Sequence, residues 1–312
     1  IIISNKSEPF LIQKIYYPWQ RKIGGWNKFY LDKKYNNKFE SRISNGFIDK
    51  LDDKDYLCKL LSNSNYSPKC FIVNKENTIN NNLIHYFKNN NDKWFIKKYN
   101  SGNGTGIIPS KSSDVIENIK KLLKIENKII IQKGIEPLLH NKRKIDSRAH
   151  YLIVFYKNNL HFYLYKDIFF RSSNNIYNKK DVSINTNITN FKTQTIRRIS
   201  MNEISNYKTL RKNFTKAFTD ISKKIKEKFP KNYRTKNIIE YQLSGPDIIF
   251  DKDLKPYIIE LNSKTPAYII DKDNDKTTQM KIKIKSGIDH MITSILNNKQ
   301  FNLKEYGFIH LL

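Results

Sequence analysis

The sequence predicts an α+β fold, and three observations carry that prediction. Apolar periodicity switches between two and three-to-four along the 312 residues, without the regular strand–helix alternation that builds a parallel sheet. One segment, Tyr207–Phe229, places Tyr207, Leu210, Phe214, Phe218, Ile221, Ile225 and Phe229 at steps of three or four, the signature of a long amphipathic helix. Hydrophobic residues make up 38% of the chain, with 19 Tyr and 18 Phe, enough to bury a sizeable core and to exclude a disordered chain.

The elements follow in order. Asp52–Leu61 starts a helix, with acidic residues in its first turn and Tyr56, Leu57, Leu60 and Leu61 on one side. After Pro68, Cys70–Val73 reads as a strand, and Trp94–Ile96 as a second. Val115, Ile116, Ile119, Leu122 and Leu123 follow helical spacing, and Lys128–Ile131 is a strand. Tyr151–Tyr156 and Leu160–Tyr165, joined by Lys157-Asn158-Asn159, form a hairpin. Leu164–Arg171 reads as the next strand. The long helix ends at Pro230, which cannot continue it. A last helix spans Lys281–Leu296. Asn-rich patches at Asn36-Asn37, Asn80–Asn82, Asn89–Asn91 and Ser172–Lys180 mark surface loops.

The net charge is +28, which points to an acidic partner: nucleic acid, an anionic membrane or an acidic polypeptide. Of the basic residues 48 are Lys and 9 are Arg, whereas nucleic-acid readers lean on Arg. Lys, Asn and Ile, all abundant here, share A/T-rich codons. No apolar run approaches the length of a membrane span. Cys58 and Cys70 are the only cysteines; their spacing matches no metal motif, no disulfide framework is expected, and a reducing compartment fits. The chain opens on Ile1-Ile2-Ile3 rather than Met, as a fragment or processed form would. The long helix carries Lys208, Arg211, Lys212, Lys216, Lys223, Lys224 and Lys226 on its polar side, read as a solvated face rather than a polyanion track.

Four stretches carry candidate chemistry. In Gly245-Pro246-Asp247…Pro256–Ser263, Asp247 ends a turn and opens an apolar run, while Glu260 and Asn262 share one strand face. A hairpin through Asp251–Lys255 brings Asp247 to that face, giving two carboxylates and an amide oxygen, the hard ligands that hold Mg²⁺ on phosphates. An ordinary hairpin with acidic groups in water is the alternative. Lys97 leaves a strand into Asn100-Ser101-Gly102-Asn103-Gly104-Thr105-Gly106, whose glycines let backbone N–H groups approach an anion; a flexible tip is the alternative. Ile130–Leu139, with Gln132, Lys133 and Ile135, is an apolar strand running into exposed backbone of the kind that borders a cofactor; a plain strand-to-loop junction is the alternative. Lys144, Asp146 and Arg148 alternate on one strand face, and Arg171 closes an aromatic strand; two cations beside a carboxylate clamp a phosphate, or form a surface salt bridge. The six His form no cluster.

In order and rough spacing these stretches, together with Thr189-Asn190, Asp53-Lys54…Leu57 and Pro68…Val73, resemble the tubulin tyrosine ligase-like family of ATP-grasp ligases. The resemblance runs from about Asn45 to Leu296. It implies an ATP-grasp fold: a small N-terminal domain (1–55), a central lobe (56–138) and a C-terminal lobe with the metal site (139–312), ATP lying between the two lobes. It further implies that Asn100, Gly102, Gly104 and Gly106 cover the phosphates, that Lys97 and Lys144 contact them, and that Gln132, Lys133 and Ile135 frame the adenine. Arg148 and Arg171 would hold the γ-phosphate and an acyl phosphate made from it. Thr189 and Asn190 would sit at the substrate end, and Asp247, Glu260 and Asn262 would bind Mg²⁺.

The chain departs from the family pattern at Lys98 (usually Pro), Ser101 (commonly Gly) and Asn187 (frequently His). None of these is an implied metal ligand or phosphate clamp. The implied function is an ATP- and Mg²⁺-dependent ligase joining an amino acid, glutamate by preference, to a carboxylate of an acidic protein such as a tubulin tail, in the cytoplasm. The alternative is an ATP-grasp-fold scaffold without catalysis that binds RNA or a ribonucleoprotein through Lys-rich faces.

Overall fold

The computed structural model describes residues 39–40, 43, 45–76, 79–99, 101, 104–189, 197–234, 238–262 and 275–312. In chain order these contain β1 (Phe39–Glu40), a 3₁₀ turn at Asp49–Asp52, α1 (Lys54–Leu60), β2 (Cys70–Asn74), α2 (Asn81–Lys88), β3 (Lys93–Lys98), β4 (Ile107–Lys111), α3 (Val115–Leu123) and β5 (Lys128–Lys133). There follow β6 (Leu139–His140), β7 (Arg143–Arg148), β8 (Tyr151–Tyr156), β9 (Asn159–Tyr165), β10 (Phe169–Ser172), α4 (Ile184–Asn187) and β11 (Arg197–Ser200). The chain closes with α5 (Tyr207–Lys228), β12 (Ile239–Phe250), β13 (Pro256–Asn262), α6 (Asp275–Leu296) and β14 (Phe308–His310).

Two sheets organise them. A four-stranded antiparallel sheet runs β2-β5-β3-β4, and a ten-stranded sheet runs β11-β10-β7-β12-β8-β9-β14, with β1 and β13 also on β12 and β6 on β7. The small sheet buries Val73, Trp94, Ile96, Ile129 and Ile131 against Phe87 of α2 and Val115, Ile119 and Leu122 of α3. Side chains two apart face the same way, so each strand shows one apolar set to these helices and its other set to the opposite side.

The large sheet is covered on both faces, which is why β8 reads as a continuous apolar run. Tyr151, Ile153 and Phe155 join Leu210, Phe214, Phe218, Ile221 and Ile225 of α5 in one core. Leu152 and Val154 turn the other way, to Ile284, Ile288, Met291 and Ile292 of α6. Each such fully buried side chain stabilises the fold by roughly 1.5–3 kcal/mol relative to exposure. The lysines of α5 at positions 208, 212, 216, 223 and 226 are exposed, as a solvated face requires.

Several expectations are corrected. Asn80–Asn82 is no loop: the Asn80 side chain accepts from the Leu83 amide and caps α2. Leu164–Arg171 is two strands, because Lys166 turns away to bond Gly307 and the strand restarts at Phe169. Gly245-Pro246 makes no turn before Asp247 but lies inside β12, beside a register shift at Asp247/Ile248 that tolerates the missing proline N–H. Cys58 and Cys70 are bonded as a disulfide, their Cα atoms 6.1 Å apart. Sequence spacing carried no sign of that pairing, because the 61–69 segment folds back to bring helix and strand together. Asn36-Asn37 lies outside the described residues.

Candidate active site

The site lies where the two sheets face each other. One wall comes from β3 and β5 of the small sheet, the other from β7, β10, β12 and β13 of the large one. Strand register builds the second wall. Arg171 pairs with Asp146 across β10/β7, Asp247 with Arg148 across β12/β7, and Asp247 with Glu260 across β12/β13. Side chains on paired positions share a face, so a single row of charge crosses four strands.

The row is tightly bonded. Arg148 grips Asp247 through two bonds, Nε–Oδ1 at 2.6 Å and Nη2–Oδ2 at 3.0 Å. Arg171 spans two carboxylates, donating Nε to Asp146 Oδ1 at 2.6 Å and Nη2 to Asp247 Oδ1 at 3.0 Å. Thr189 Oγ1 donates to the other Asp146 oxygen. Burial opposes ionisation of Asp247, but the two guanidiniums and their hydrogen bonds overcome it and hold the carboxyl below its usual range. Burial likewise opposes the Arg171 charge, and Asp146 and Asp247 more than restore it.

Two buried lysines complete the charge pattern. Lys97 on β3 is 4% exposed, and its Nζ donates to Gln132 Oε1 at 2.7 Å. Burial brings its pKa down to about 8, opposed by Glu260 and Asp247 and assisted by Lys54. Lys144 on β7 is 5% exposed, donates to the Asn187 carbonyl and lies 5.1 Å from the centre of the Phe95 ring. Burial brings it also to about 8, against the pull of Asp146. Two desolvated ammonium groups beside a carboxylate row favour a polyanion that brings its own cation.

Among the described residues the cleft is lined by Lys97, Gly104, Gln132, Lys133, Ile135, Lys144, Arg171, Thr189, Asp247 and Glu260, all expected from sequence. Its apolar part adds Pro68, Phe95, Ile107, Ile188, Ile249 and Ile259, which local sequence shows only as core-like residues. Asn187 also lines it; its amide donates to the Asp181 and Ser183 carbonyls and accepts from Lys93, so it shapes the wall while its carbonyl holds Lys144. Arg148 is turned onto Asp247 and does not line the cleft. Asn262 lies across from Gly245, and its Nδ2 donates to the Gly245 carbonyl at 3.1 Å, leaving the amide oxygen as the acceptor.

The glycine loop returns on itself where the Lys98 amide bonds the Gly106 carbonyl at 2.9 Å. Gly106 has φ +70°, and a Cβ there would sit 2.8 Å from the Lys98 side chain, so only glycine closes the loop. Gly106 closes the loop and does not itself line the cleft. Lys54 of α1, part of the upstream motif, donates to the Tyr99 and Ser101 carbonyls and ties the loop down. Asn100, Gly102 and Asn190 lie outside the described residues.

No group of three or more His, Cys, Asp and Glu gathers among the described residues. A metal here would rest on two carboxylates and an amide. Asp247, Glu260 and Asn262 offer only hard oxygens, with Asp247 already ionised, and this donor set fits Mg²⁺. Among the described residues no helix is long and apolar enough to cross a membrane.

Comparison with known proteins bears on the fold and the family. Among curated protein sequences the chain has no match. Among solved structures it resembles the C-terminal domain of K. lactis Pby1, described as an ATP-grasp enzyme interacting with the mRNA decapping enzyme Dcp2. The likeness covers 88% of this chain and 81% of that one, with a TM-score of 0.63 and 15% identity, and it shows the ATP-grasp fold. The model of the tubulin-tyrosine ligase family matches residues 34–283, most of the chain. That match covers well over half of its residues, and the chain belongs to the tubulin-tyrosine ligase family.

Proposed function

We propose that this protein is an ATP- and Mg²⁺-dependent ligase that joins the amine of a free amino acid to a carboxylate on an acidic protein. The observation that carries the reading is the four-strand row Arg171–Asp146, Arg148–Asp247–Glu260, facing two buried lysines. Phosphoryl transfer needs positioning and charge neutralisation more than a protein nucleophile, and this cleft supplies those.

In this reading Lys97 and Lys144 neutralise phosphate oxygens, with Asn100, Gly102, Gly104 and Gly106 forming the loop over them. Gln132, Lys133 and Ile135 border the adenine beside the apolar part of the cleft. Asp247, Glu260 and Asn262 would hold Mg²⁺, which supplies countercharge to the phosphates when bound. Arg171, fixed by Asp146 and Asp247, stabilises charge on the group in transfer, and Arg148, turned onto Asp247, positions that carboxylate. The acceptor carboxylate takes the γ-phosphate as an acyl phosphate, and the incoming amine displaces that phosphate at the carbonyl carbon. Thr189, with Asn190, holds the substrate end. The +28 charge suits an acidic acceptor such as a tubulin tail, glutamate is the favoured amino acid, and the proposed setting is the cytoplasm.

The test is incorporation of radiolabelled amino acids into acidic peptides with Mg-ATP, run beside thermal unfolding with and without Mg-ATP. Labelled glutamate in the peptide and a nucleotide-dependent rise in Tm support the proposal. A wild-type protein whose Tm ignores Mg-ATP, and which binds RNA with strong salt dependence, is a scaffold instead.

A further inference from the structure

Helix α1 is one place where the two sheets are held to one another; Lys93 of β3, bonded to the Asp181 carbonyl and Asn187 Oδ1, is another. Leu57, with Leu61 just beyond the helix, packs into the core of the large sheet. Its other side reaches the small sheet through three separate ties. Lys54 holds the Tyr99 and Ser101 carbonyls, Asp55 pairs with Lys128 of β5 at 2.7 Å, and Cys58 is bonded to Cys70 of β2. Among the described residues the chain passes between the sheets at 61–69 and again at 134–138. The Cys58–Cys70 bond closes the first crossing into a ring.

That crossing borders the nucleotide cleft. Pro68 lines the cleft, the Tyr66 carbonyl accepts from the Ile258 amide at 2.8 Å, and Cys70 stands opposite Gln132, the partner of Lys97. A small cavity behind the cleft is lined by Lys54, Cys58, Cys70, Lys97, Gln132 and Ile259. The two Cα atoms, 6.1 Å apart, lie within the span a disulfide bridges without backbone movement.

We propose that Cys58 and Cys70 are a reversible dithiol–disulfide pair that latches the two sheets together and so controls opening of the nucleotide cleft. The nucleotide part rests on the ligase reading above; the latch itself does not. Oxidation is an exchange with a low-molecular-weight disulfide such as oxidised glutathione. One cysteine thiolate attacks it, giving a mixed disulfide and one released thiol; the second cysteine displaces the other thiol, so two thiols leave and one intramolecular bond forms. Reduction is the reverse, and a reductant meets Cys70 first, since Cys58 is nearly enclosed and Cys70 half-buried. With the bond closed the first crossing cannot lengthen; with it open, the sheets separate more readily and nucleotide enters and leaves faster.

The experiment compares the full chain oxidised with glutathione disulfide and reduced with dithiothreitol, the state of each sample confirmed by thiol-alkylation mass. Hydrogen exchange is followed at residues 61–69, and release of a fluorescent ATP analogue is timed. The expected result is slower exchange at 61–69 and roughly tenfold slower release in the oxidised chain, as for a gated cleft. Cys58→Ser and Cys70→Ser should both match the reduced chain under either condition. Failure of the two cysteines to pair under the oxidant overturns the proposal, as does a paired chain identical to the reduced one at 61–69. If the analogue binds neither state, the ligase reading fails while the hydrogen-exchange result still decides the latch.

Discussion

Asp247 stands directly opposite Glu260 across β12 and β13, one step before the register shift at Ile248. The shift leaves this pair as the last in-register position before the strands slip. It keeps both carboxylates on the face that meets Lys97, whose charge they both favour.

Glu260 can therefore be tested apart from the rest of the row, since among the described residues Arg148 and Arg171 form their ion pairs with Asp247 and Asp146 and not with Glu260. Mg-ATP at a hundred times its Kd should stabilise the wild-type protein by about 2.7 kcal/mol, because it binds only the native state. Glu260→Gln keeps the shape and loses the charge, so most of the gain should disappear in a thermal melt while the ligand-free Tm stays close to wild type. An undiminished Mg-ATP gain would remove Glu260 from the proposed Mg²⁺ ligands.

Asp247 is bound to two guanidiniums, and removing it strands both. Asp247→Ala should cost about 3–5 kcal/mol in urea unfolding, the cost of breaking a buried ionic cluster from one side. Its effect is also pH-dependent. The folded carboxyl titrates below 3.8, so the folded state binds fewer protons than the unfolded one, and stability rises with pH across that window. Asp247's contribution is complete above the unfolded value and is lost as pH falls through the folded one. The variant's stability should thus converge on wild type in strong acid; a constant difference from pH 7 to pH 2 would show that Asp247 is not held ionised.

Lys97 and Lys144 titrate in the opposite region. With folded values near 8 against 10.5 when free, both lose their protons early, so the folded state binds fewer protons than the unfolded one between about pH 8 and 10.5. The sign gives a stability contribution that rises with pH there, while affinity for a phosphate falls over the same range as the ammonium charge disappears. ATP binding measured by calorimetry should weaken above pH 8. Lys97→Met should weaken it roughly 10- to 100-fold at pH 7, the value of one charged hydrogen bond, and flatten the pH profile. A profile unchanged by Lys97→Met would assign the titration elsewhere.

Phe218 sits in the α5 core, fully buried against Tyr151 at 5.2 Å and Phe214 at 5.0 Å between ring centres. Phe218→Ala should cost about 3–5 kcal/mol by leaving a cavity in the large sheet's support. Urea unfolding reads this directly; a loss below 1 kcal/mol would mean that the core collapses to fill the space.

Much of this was legible from local pattern. Period two placed Glu260 and Asn262 together, and alternation placed Lys144, Asp146 and Arg148 on one face, because side-chain direction in a strand depends only on position along it. The step of three and four in Tyr207–Phe229 predicted α5 almost to its ends. Asn80 misled because asparagine serves loops and helix caps equally well, and only the backbone after it decides which. The pair Gly245-Pro246 misled for the same kind of reason, since the shift in register that accommodates proline belongs to two strands together.

The residue types that make the cleft, and the elements that carry them, were set by the sequence itself. What tertiary structure decided was who meets whom. Arg148 and Asp247 are 99 residues apart and Arg171 and Asp247 76, and their contacts exist only because β12 threads between β7 and β8. Cys58 and Cys70 are close in sequence yet pair only because 61–69 turns the chain from one sheet to the other. Periodicity reports which way a side chain faces; strand order and crossing geometry report what it faces, and these arise from packing the whole chain at once.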